Sequence, residues 1–491
     1  MNATAKLEIA ILAGAFALGI LGDALLRSLP WGINFALWGS LLAAAMIYLA
    51  RARRQMFANG GRWLLLPIVL CPWAFVWRDS LALNALSLFS LIVALSLAML
   101  CARGVQLQTS SLVRYAWGSL LAGFNAVFGM LPLAFGNREW NKTAGWSELR
   151  KVVAVLLGLA LAIPPLLVFG ALFMGADEVF KTFAIQFLRA TPTHLLLMAF
   201  IAYVTGGYLR GVLFGRDMNT EAPKRLLPFS LGAIEMGMML GVLDLLFLAF
   251  VVVQVRYFFG GSARVHAVIG LTYSEYCRRG FFELLAAAAL LLPFLLVVHW
   301  LLKPDDASAQ RWFRWLAAIQ IALLSVIMAS AVQRMRLYQA EYGLSEQRLY
   351  PTAFMGWLAV VFVWFCFTVL RGERERFAFG AMAAGFLLVA ALHVINPDAL
   401  IARTNMERAR SGRIFDASYV LGLSADAVPA IVAGLPNVSP AERRKLSQGV
   451  LDRWCTRDTD WRSWSIARYR AWHALSNDMA IVCADCVKPG R

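Results

Sequence analysis

Two carboxylates inside one long apolar stretch are the first residues of this sequence that could carry chemistry. Residues 231–254 are apolar except for Glu235, Asp244 and the terminal Gln254. An ionised aspartate at mid-depth in a bilayer costs roughly 2.5–3.5 kcal/mol on insertion scales, so it needs a proton, a partner or water. We therefore take Glu235 and Asp244 as candidates for an ion or proton site, with protonated packing residues as the alternative.

The next apolar stretch adds two titratable groups to this candidate set. Residues 281–302 carry Glu283 near their start and His299 near their end. Glu283 falls close to the expected membrane interface. The sequence thus predicts four candidate polar residues within two neighbouring spans, a pattern typical of ion or substrate pathways.

A second candidate site comes from three polar stretches, 256–283, 334–350 and 393–408, which the preferred topology places on one side of the membrane. Arginine and tyrosine suit phosphate or carboxylate groups, and a histidine beside an aspartate can do acid–base work. The alternative is an interfacial belt of tyrosine and arginine. The candidate residues of this outer-mouth cluster are Tyr273, Glu275, Arg279, Arg334, Tyr342, Arg348, His393, Asn396 and Asp398.

Motifs for metal or cofactor binding are absent from the sequence. It has no phosphate-binding loop, no nucleophile elbow and no dinucleotide fingerprint. The histidines form no closely spaced ligand pair, and Cys483 and Cys486 have too few potential ligands nearby for a zinc site. We therefore expect no metal and no cofactor.

The elements that position these residues are apolar helices. The chain has 491 residues, of which 60% are hydrophobic and 15% charged, with a net charge of +17. The apolar residues fall in blocks separated by short basic loops, which predicts an all-α polytopic transmembrane helix bundle. The predicted spans are 7–26, 31–50, 63–77, 81–100, 152–174, 195–214, 231–254, 281–302, 312–333, 352–370 and 377–395.

Residues 112–135 decide the topology. They carry Arg114, Asn125 and Pro132, so they can cross, lie in the interface or re-enter. If they do not cross, there are eleven spans, and twenty-one basic residues lie in inner loops against eleven in outer loops. If they cross, there are twelve spans and the split is equal. The positive-inside rule favours the first scheme, with a cytoplasmic N-terminus and an extracytoplasmic tail in the inner (plasma) membrane.

The tail, 396–491, differs in composition and predicts a small helical extramembrane domain after the bundle at 1–395. Ser439 and Glu442 form a capping box that starts a helix running to about residue 454. Trp461, Trp464 and Trp472 either line a core of this domain or rest on the membrane surface. Their sequence pattern leaves both open, as it does the redox state of the two cysteines near the end.

Several motifs in order give the chain a resemblance to a known family. They are YSEYCRRGFFEL at 273–284, RMRLYQAEYGLSEQRLY at 334–350, NPDALIARTN at 396–405 and LSADAVPA at 423–430. Together they resemble a bacterial membrane-protein family catalogued as domain of unknown function 4173, with the related family 4153. The resemblance covers roughly 230–475, and the cysteine at 277 stands where alanine is expected. It implies a multi-pass membrane protein with a C-terminal extramembrane part, and no activity.

These patterns favour a transporter or translocator. The alternatives are a signalling or assembly component whose tail binds a protein partner, and a membrane-interface enzyme on an envelope substrate. Basic residues cluster at span ends, where they suit orientation and contact with anionic lipid. We expect a lipid bilayer as the surroundings and no nucleic acid partner, because no recognition motif accompanies the charge.

Overall fold

The structure is a computed structural model of the chain in which all regular secondary structure of the described residues is helical. It describes residues 3–51, 59–130, 169–170, 172–182, 193–214, 232–258, 281–302, 306–413, 415–455 and 460–477. The chain divides into two compact units. The first comprises Met1–Ala222 with Asp458–Tyr469, and the second comprises Pro223–Arg457 with Arg470–Arg491.

The first unit contains six long helices in its described residues. They are α1 (Ala3–Leu26), α2 (Ile33–Arg51), α3 (Leu65–Trp77, preceded by a 3-10 turn at Gly61–Leu64), α4 (Leu81–Ala102), α5 (Leu112–Phe128) and α6 (Thr193–Phe214). A further 3-10 turn, Trp461–Ser463, belongs to this unit.

The second unit contains five long helices followed by shorter ones. The long helices are α7 (Ala233–Phe258), α8 (Phe281–Leu301), α9 (Ala307–Tyr342), α10 (Glu346–Thr368) and α11 (Phe377–Ile395). The shorter helices are α12 (Pro397–Arg410), α13 (Ala417–Gly422), α14 (Val428–Gly434) and α15 (Pro440–Trp454). The last helix, α16 (Ile466–Asn477), passes the boundary between the units at residue 469.

The prediction of an all-α polytopic helix bundle is confirmed. Eight helices in the described residues are long and apolar enough to cross a membrane. They begin at residues 7, 81, 193, 233, 281, 307, 346 and 374. The predicted spans 31–50 and 63–77 correspond to the shorter apolar helices Ile33–Leu49 and Gly61–Trp77. The predicted span 152–174 lies mostly outside the described residues, so the count of eleven stays a prediction.

Helix α5 occupies the first part of the ambiguous stretch 112–135. It packs on α4 and α6 and buries Tyr115 and Asn125. At its C-terminal end the chain meets α6 closely, because a Cβ on Gly207 would lie 2.6 Å from the carbonyl oxygens of Asn125 and Ala126. Residues 131–150 lie outside the described residues, so whether 112–135 crosses the membrane stays open.

Small residues also set the distance between α1 and α6 in the first unit. A Cβ on Gly19 would lie 2.6 Å from the Met198 carbonyl oxygen and 2.8 Å from the Cβ of Ala202. A Cβ on Gly206 would lie 3.0 Å from the Cβ of Ala15. Helices in an apolar medium gain their association from this kind of close packing, since lipid tails are as apolar as the side chains.

A segment of the tail is held on the first unit by polar contacts. Arg468 forms an ion pair with Asp79 at 2.6 Å, with the two side chains only 14% and 12% exposed. Asp460 accepts hydrogen bonds from the Arg462 guanidinium at 2.8 Å and the Ser28 hydroxyl at 2.5 Å. These bonds hold the pKa of Asp460 well below its usual range, so their contribution is present above about pH 4 and is lost as the pH falls.

The core of the second unit is a continuous apolar cluster contributed by α7 to α11. Its largest fully buried side chains include Phe281, Phe313, Phe365 and Phe377. Phe365 and Phe377 meet edge to face with ring centroids 5.6 Å apart. This contact joins the C-terminal end of α10 to the N-terminal end of α11.

The helix start predicted in the tail is confirmed. Ser439 accepts a hydrogen bond from the Glu442 backbone nitrogen, and Glu442 accepts one from the Ser439 backbone nitrogen, in a complete capping box before α15. The interpretation that the tail tryptophans line a core does not fit Trp461 and Trp464, because Trp461 is 61% exposed and Trp464 is 39% exposed. The extramembrane domain at 396–491 stays a prediction.

Replacing Asp79 by asparagine should destabilise the protein by about 3 kcal/mol, because the mostly buried Arg468 then lacks its counter-charge. The measurement is the unfolding temperature in detergent. The matched control is Glu373→Gln, which removes an exposed pair with Arg376 and should change stability by less than about 1 kcal/mol. Equal shifts for the two variants would show that burial does not strengthen the Asp79–Arg468 pair.

Candidate functional site

Asp244 is the predicted site residue that the structure leaves in the most unusual surroundings. It lies in the middle of α7 and is only 8% exposed. Neither carboxylate oxygen has a hydrogen-bond partner in the described part of the chain. A buried polar group without a partner is uncommon, and one that can ionise needs a proton, water or an ion. Asp244 is therefore the centre of the candidate site.

The other three candidate intramembrane residues do not join Asp244. Glu235 is exposed at the start of α7, where its carboxylate accepts a hydrogen bond from the Gly232 backbone nitrogen at 3.0 Å. Glu283 is exposed in the first turn of α8. His299 lies at the far end of α8 and packs edge to face on Phe313 at 5.0 Å. The four residues therefore do not form one cluster.

A polar contact near the C-terminal end of α7 joins this helix to α9. Gln254 is 7% exposed, and its side-chain oxygen accepts hydrogen bonds from the Ser330 hydroxyl at 2.7 Å and from Arg334 at 2.8 Å. The predicted residue Arg334 thus meets a glutamine of α7. Gln254 and Ser330 were not predicted as site residues, since neither residue type indicates chemistry without its partner.

Gln320 is a third buried polar residue that sequence reasoning missed, after Gln254 and Ser330. It lies in the middle of α9 with a fully buried side chain, and neither its oxygen nor its nitrogen has a hydrogen-bond partner among the described residues. Its position within an apolar run, from Trp315 to Gln333 without a charged residue, was the available signal. A neutral amide gave less reason for attention than a carboxylate.

Arg348, predicted for the outer-mouth cluster, closes the turn between α9 and α10. Its guanidinium donates to the carbonyl oxygens of Tyr342 at 3.0 Å and Gly343 at 2.5 Å. It also lies over the ring of Tyr338, 4.2 Å from the ring centroid. Helix ends leave carbonyls unpaired, and a cation there satisfies both their hydrogen bonds and the helix dipole.

Helix α12 clamps the same turn from the other side. Asn405 exchanges two hydrogen bonds with the backbone of Leu344, at 3.0 and 2.8 Å. Arg408 donates to the carbonyl oxygens of Ala340 and Glu341, both at 2.5 Å. Asn405 and Arg408 were not among the predicted site residues. Asn405 is the last residue of the motif at 396–405, and Arg408 follows that motif by three residues.

His393, Asn396 and Asp398 form the corner between α11 and α12. His393 is buried and bonds the Val389 carbonyl oxygen through Nδ1 at 2.8 Å. Asn396 adopts a left-handed conformation with φ of 57° and caps α12. Asp398 is 2% exposed, and its Oδ2 accepts a hydrogen bond from the Ser424 backbone nitrogen at 3.2 Å. Each of these three side chains thus bonds a backbone group at or near this corner.

Tyr419 brings the turn and the corner into one electrostatic neighbourhood. Its hydroxyl oxygen accepts a hydrogen bond from the Glu346 backbone nitrogen at 2.8 Å. Burial raises the pKa of the Tyr419 hydroxyl, and the hydrogen bond from the Glu346 backbone opposes this. The carboxylates of Glu346 and Asp398 raise the pKa further, and the Arg348 guanidinium lowers it. Among the predicted outer-mouth residues, Arg348 and Asp398 therefore do lie near each other, with Glu346 and Tyr419 as the neighbours that sequence reasoning missed.

Three predicted outer-mouth residues, Tyr273, Glu275 and Arg279, lie outside the described residues. Tyr342 is exposed at the end of α9. No group of three histidine, cysteine, aspartate or glutamate side chains gathers as a metal site within the described ranges.

Comparison with known proteins returned one family. The family described as Domain of unknown function (DUF4153) matches residues 64–434, about three quarters of the chain. The resemblance to family 4173 is not confirmed, and the match is to the family named as its relative. It extends well before residue 230, where the resemblance of the motifs begins. No curated protein and no solved structure matches the chain.

Replacing Gly343 by alanine should destabilise the turn between α9 and α10 by about 2 kcal/mol or more. Gly343 has φ of 79° and ψ of −176°, a conformation that residues with a Cβ avoid, and a Cβ there would overlap the Asn405 side-chain oxygen. Thermal unfolding in detergent measures the effect.

The control is Gly356→Ala within α10, where no atom lies within 4 Å of the added Cβ. That change should be neutral or stabilise the helix by up to about 1 kcal/mol. If Gly343→Ala behaves like the control, the clamp at the turn is looser than the contacts indicate.

Proposed function

We propose that this chain, which belongs to the family described as Domain of unknown function (DUF4153) and has helices long and apolar enough to span a membrane, is a transporter or translocator. The proposal rests on one observation, the buried carboxylate of Asp244 without a partner in the middle of an apolar helix. In this proposal Asp244 binds the ion or proton that drives transport.

The cost of such a group supports a functional role. An aspartate inside a membrane helix is expensive even when it is protonated, and a leucine or asparagine would pack in its place. The carboxylates at helix ends differ, since Glu235 caps a backbone nitrogen and is exposed. Asp244 has no such structural task among the described contacts, which favours a group that exchanges its occupant.

The proposal includes a location and an orientation. We propose the bacterial inner membrane, a cytoplasmic N-terminus and an extracytoplasmic tail, because the inner loops then carry most of the basic residues outside the tail. Basic residues at the inner helix ends would contact anionic lipid headgroups.

A signalling or assembly role is the second candidate, and the exposure of Trp461 and Trp464 favours it. Exposed tryptophans are common where a protein partner or a membrane surface is bound. A membrane-interface enzyme has less support, because Arg348, His393 and Oδ2 of Asp398 already bond backbone groups.

Asp244→Asn should abolish transport while the protein still inserts, because asparagine cannot release a proton or carry a charge. We would reconstitute the protein in vesicles and measure uptake of protons, Na⁺ and K⁺ under an imposed membrane potential. Glu235→Gln is the control on the same helix and should keep the wild-type flux. Undiminished flux in Asp244→Asn, or no flux of any of the three ions in the wild type, would contradict the proposal.

The orientation is tested by labelling Cys483 and Cys486 with a membrane-impermeant maleimide after mild reduction. We expect more labelling in intact spheroplasts than in the double serine variant of these two positions, whose remaining label reports the other accessible cysteines, including the exposed Cys455. Labelling that appears only after the membrane is opened would reverse the orientation and favour a crossing by residues 112–135.

A further inference from the structure

Asp244 and Gln320 each lie at mid-helix in the second unit, and every side-chain hydrogen-bonding atom of both is buried and unpartnered among the described residues. The carboxylate offers two oxygens, and the amide offers one oxygen and one nitrogen. The side chains are 8% and 0% exposed, respectively. Two orphan groups in one apolar bundle raise the question of whether they belong to one site.

The contact between α7 and α9 fixes the relative direction of these helices. Gln254 bonds Ser330 and Arg334, and α9 is the described helix along which α7 packs. Met236, fully buried, lies about 27 Å from Gln254 along α7 at roughly 1.5 Å per residue. If the helices were antiparallel, the C-terminal part of α9 would have to cover Met236, but α9 continues for only about 12 Å beyond Arg334. If they are parallel, the N-terminal part of α9 covers Met236, and this part is long enough. The two helices therefore run parallel.

Parallel packing places Asp244 and Gln320 at the same level. Asp244 precedes Gln254 by ten residues, and Gln320 precedes Ser330 by the same number. Equal offsets from the Gln254–Ser330 hydrogen bond give equal translations of about 15 Å along two parallel helices. A separation of ten residues, seven plus three, also keeps two residues within one stripe of a helix. Asp244 and Gln254 are both buried on α7, and Gln320 and Ser330 are both buried on α9, so the Gln254–Ser330 bond places both stripes at the contact between these helices.

Charged groups are remote from this level. On α7 the nearest are Glu235 and Arg256, and on α9 they are Arg314 and Arg334, each several residues away. On α8, which packs on α9, Glu283 and His299 lie at the two ends. Among the described residues of these three helices no cation lies at this level, so an ionised Asp244 would stand there without a counter-charge.

We propose that Asp244 and Gln320 form a proton-binding site, which deepens the proposed transport function by naming the proton as its ion. When a proton from water binds Asp244, the acid O–H donates to the Gln320 oxygen, and the Gln320 nitrogen donates to the other carboxylate oxygen. These two bonds satisfy all four orphan atoms with one proton. Neither bond is present in the structure, so rotation of the two side chains closes the pair.

Loss of the proton opens the pair. The Gln320 oxygen then faces a carboxylate that can only accept, and one of the two hydrogen bonds is lost. The carboxylate must then meet water or another proton before the pair closes again. This gives the bundle two arrangements that differ by one proton, as a proton-coupled transporter requires.

Infrared difference spectroscopy on the full-length protein in detergent tests the pair without transport. Titration with acid should produce a carboxylic C=O band that is absent from Asp244→Asn. Gln320→Leu should shift this band to higher wavenumber, since the C=O group then loses its donor. Gln320→Met serves as a second variant if leucine impairs folding. The control Gln339→Leu, on the same helix near its C-terminal end, should leave the band in place.

Two results would overturn the inference. One is the absence of any carboxylic band that depends on Asp244, and the other is a band that keeps its wavenumber in both Gln320 variants. The assay separates this inference from the proposed function. A shifted band in a protein without flux leaves the site intact and removes the transporter, whereas flux that depends on Asp244 with an unshifted band removes Gln320 from the site.

Discussion

Backbone carbonyls at a helix end and polar side chains inside a bundle meet the same difficulty in an apolar medium, since no water is present to pair with them. The long helices satisfy their interior backbone groups internally. What remains is the set of helix ends and a few buried side chains. Most contacts that distinguish this protein serve those remaining groups, including the Arg348 and Arg408 clamps on the end of α9.

The same difficulty explains why residues that resemble an active site are occupied structurally. Arginine and asparagine at 348, 405 and 408 carry enough donors to satisfy several carbonyls of the turn at Gly343. A glycine there lets the chain adopt a conformation closed to other residues and brings the side chains of α12 close. A motif of charged and aromatic residues can therefore reflect the geometry of a chain corner.

Asp244 and Gln320 are two polar side chains inside long apolar helices that nothing among the described residues satisfies. The neighbouring contact of Gln254 with Ser330 and Arg334 shows how this bundle treats an amide when partners are supplied. Gln254 is paired, whereas Gln320 is unpaired among the described residues. This contrast between two buried glutamines distinguishes the candidate site. It concerns an interior level of the bundle, far from the polar corner.

The sequence by itself determined the fold class, most span positions and the start of α15, and it singled out Asp244 as a candidate, because these follow from local apolar periodicity, capping chemistry and the cost of a charge in lipid. The sequence also contains the motifs that form the turn at Gly343 and the corner at Asn396. The family match includes these motifs and covers most of the chain. Only the tertiary structure decided that Arg348 and Asp398 both act on the Tyr419 hydroxyl, that Glu283 and His299 lie apart from Asp244, and that Gln320 is buried. These outcomes depend on helix direction and on the faces that meet, which residues distant along the chain determine together.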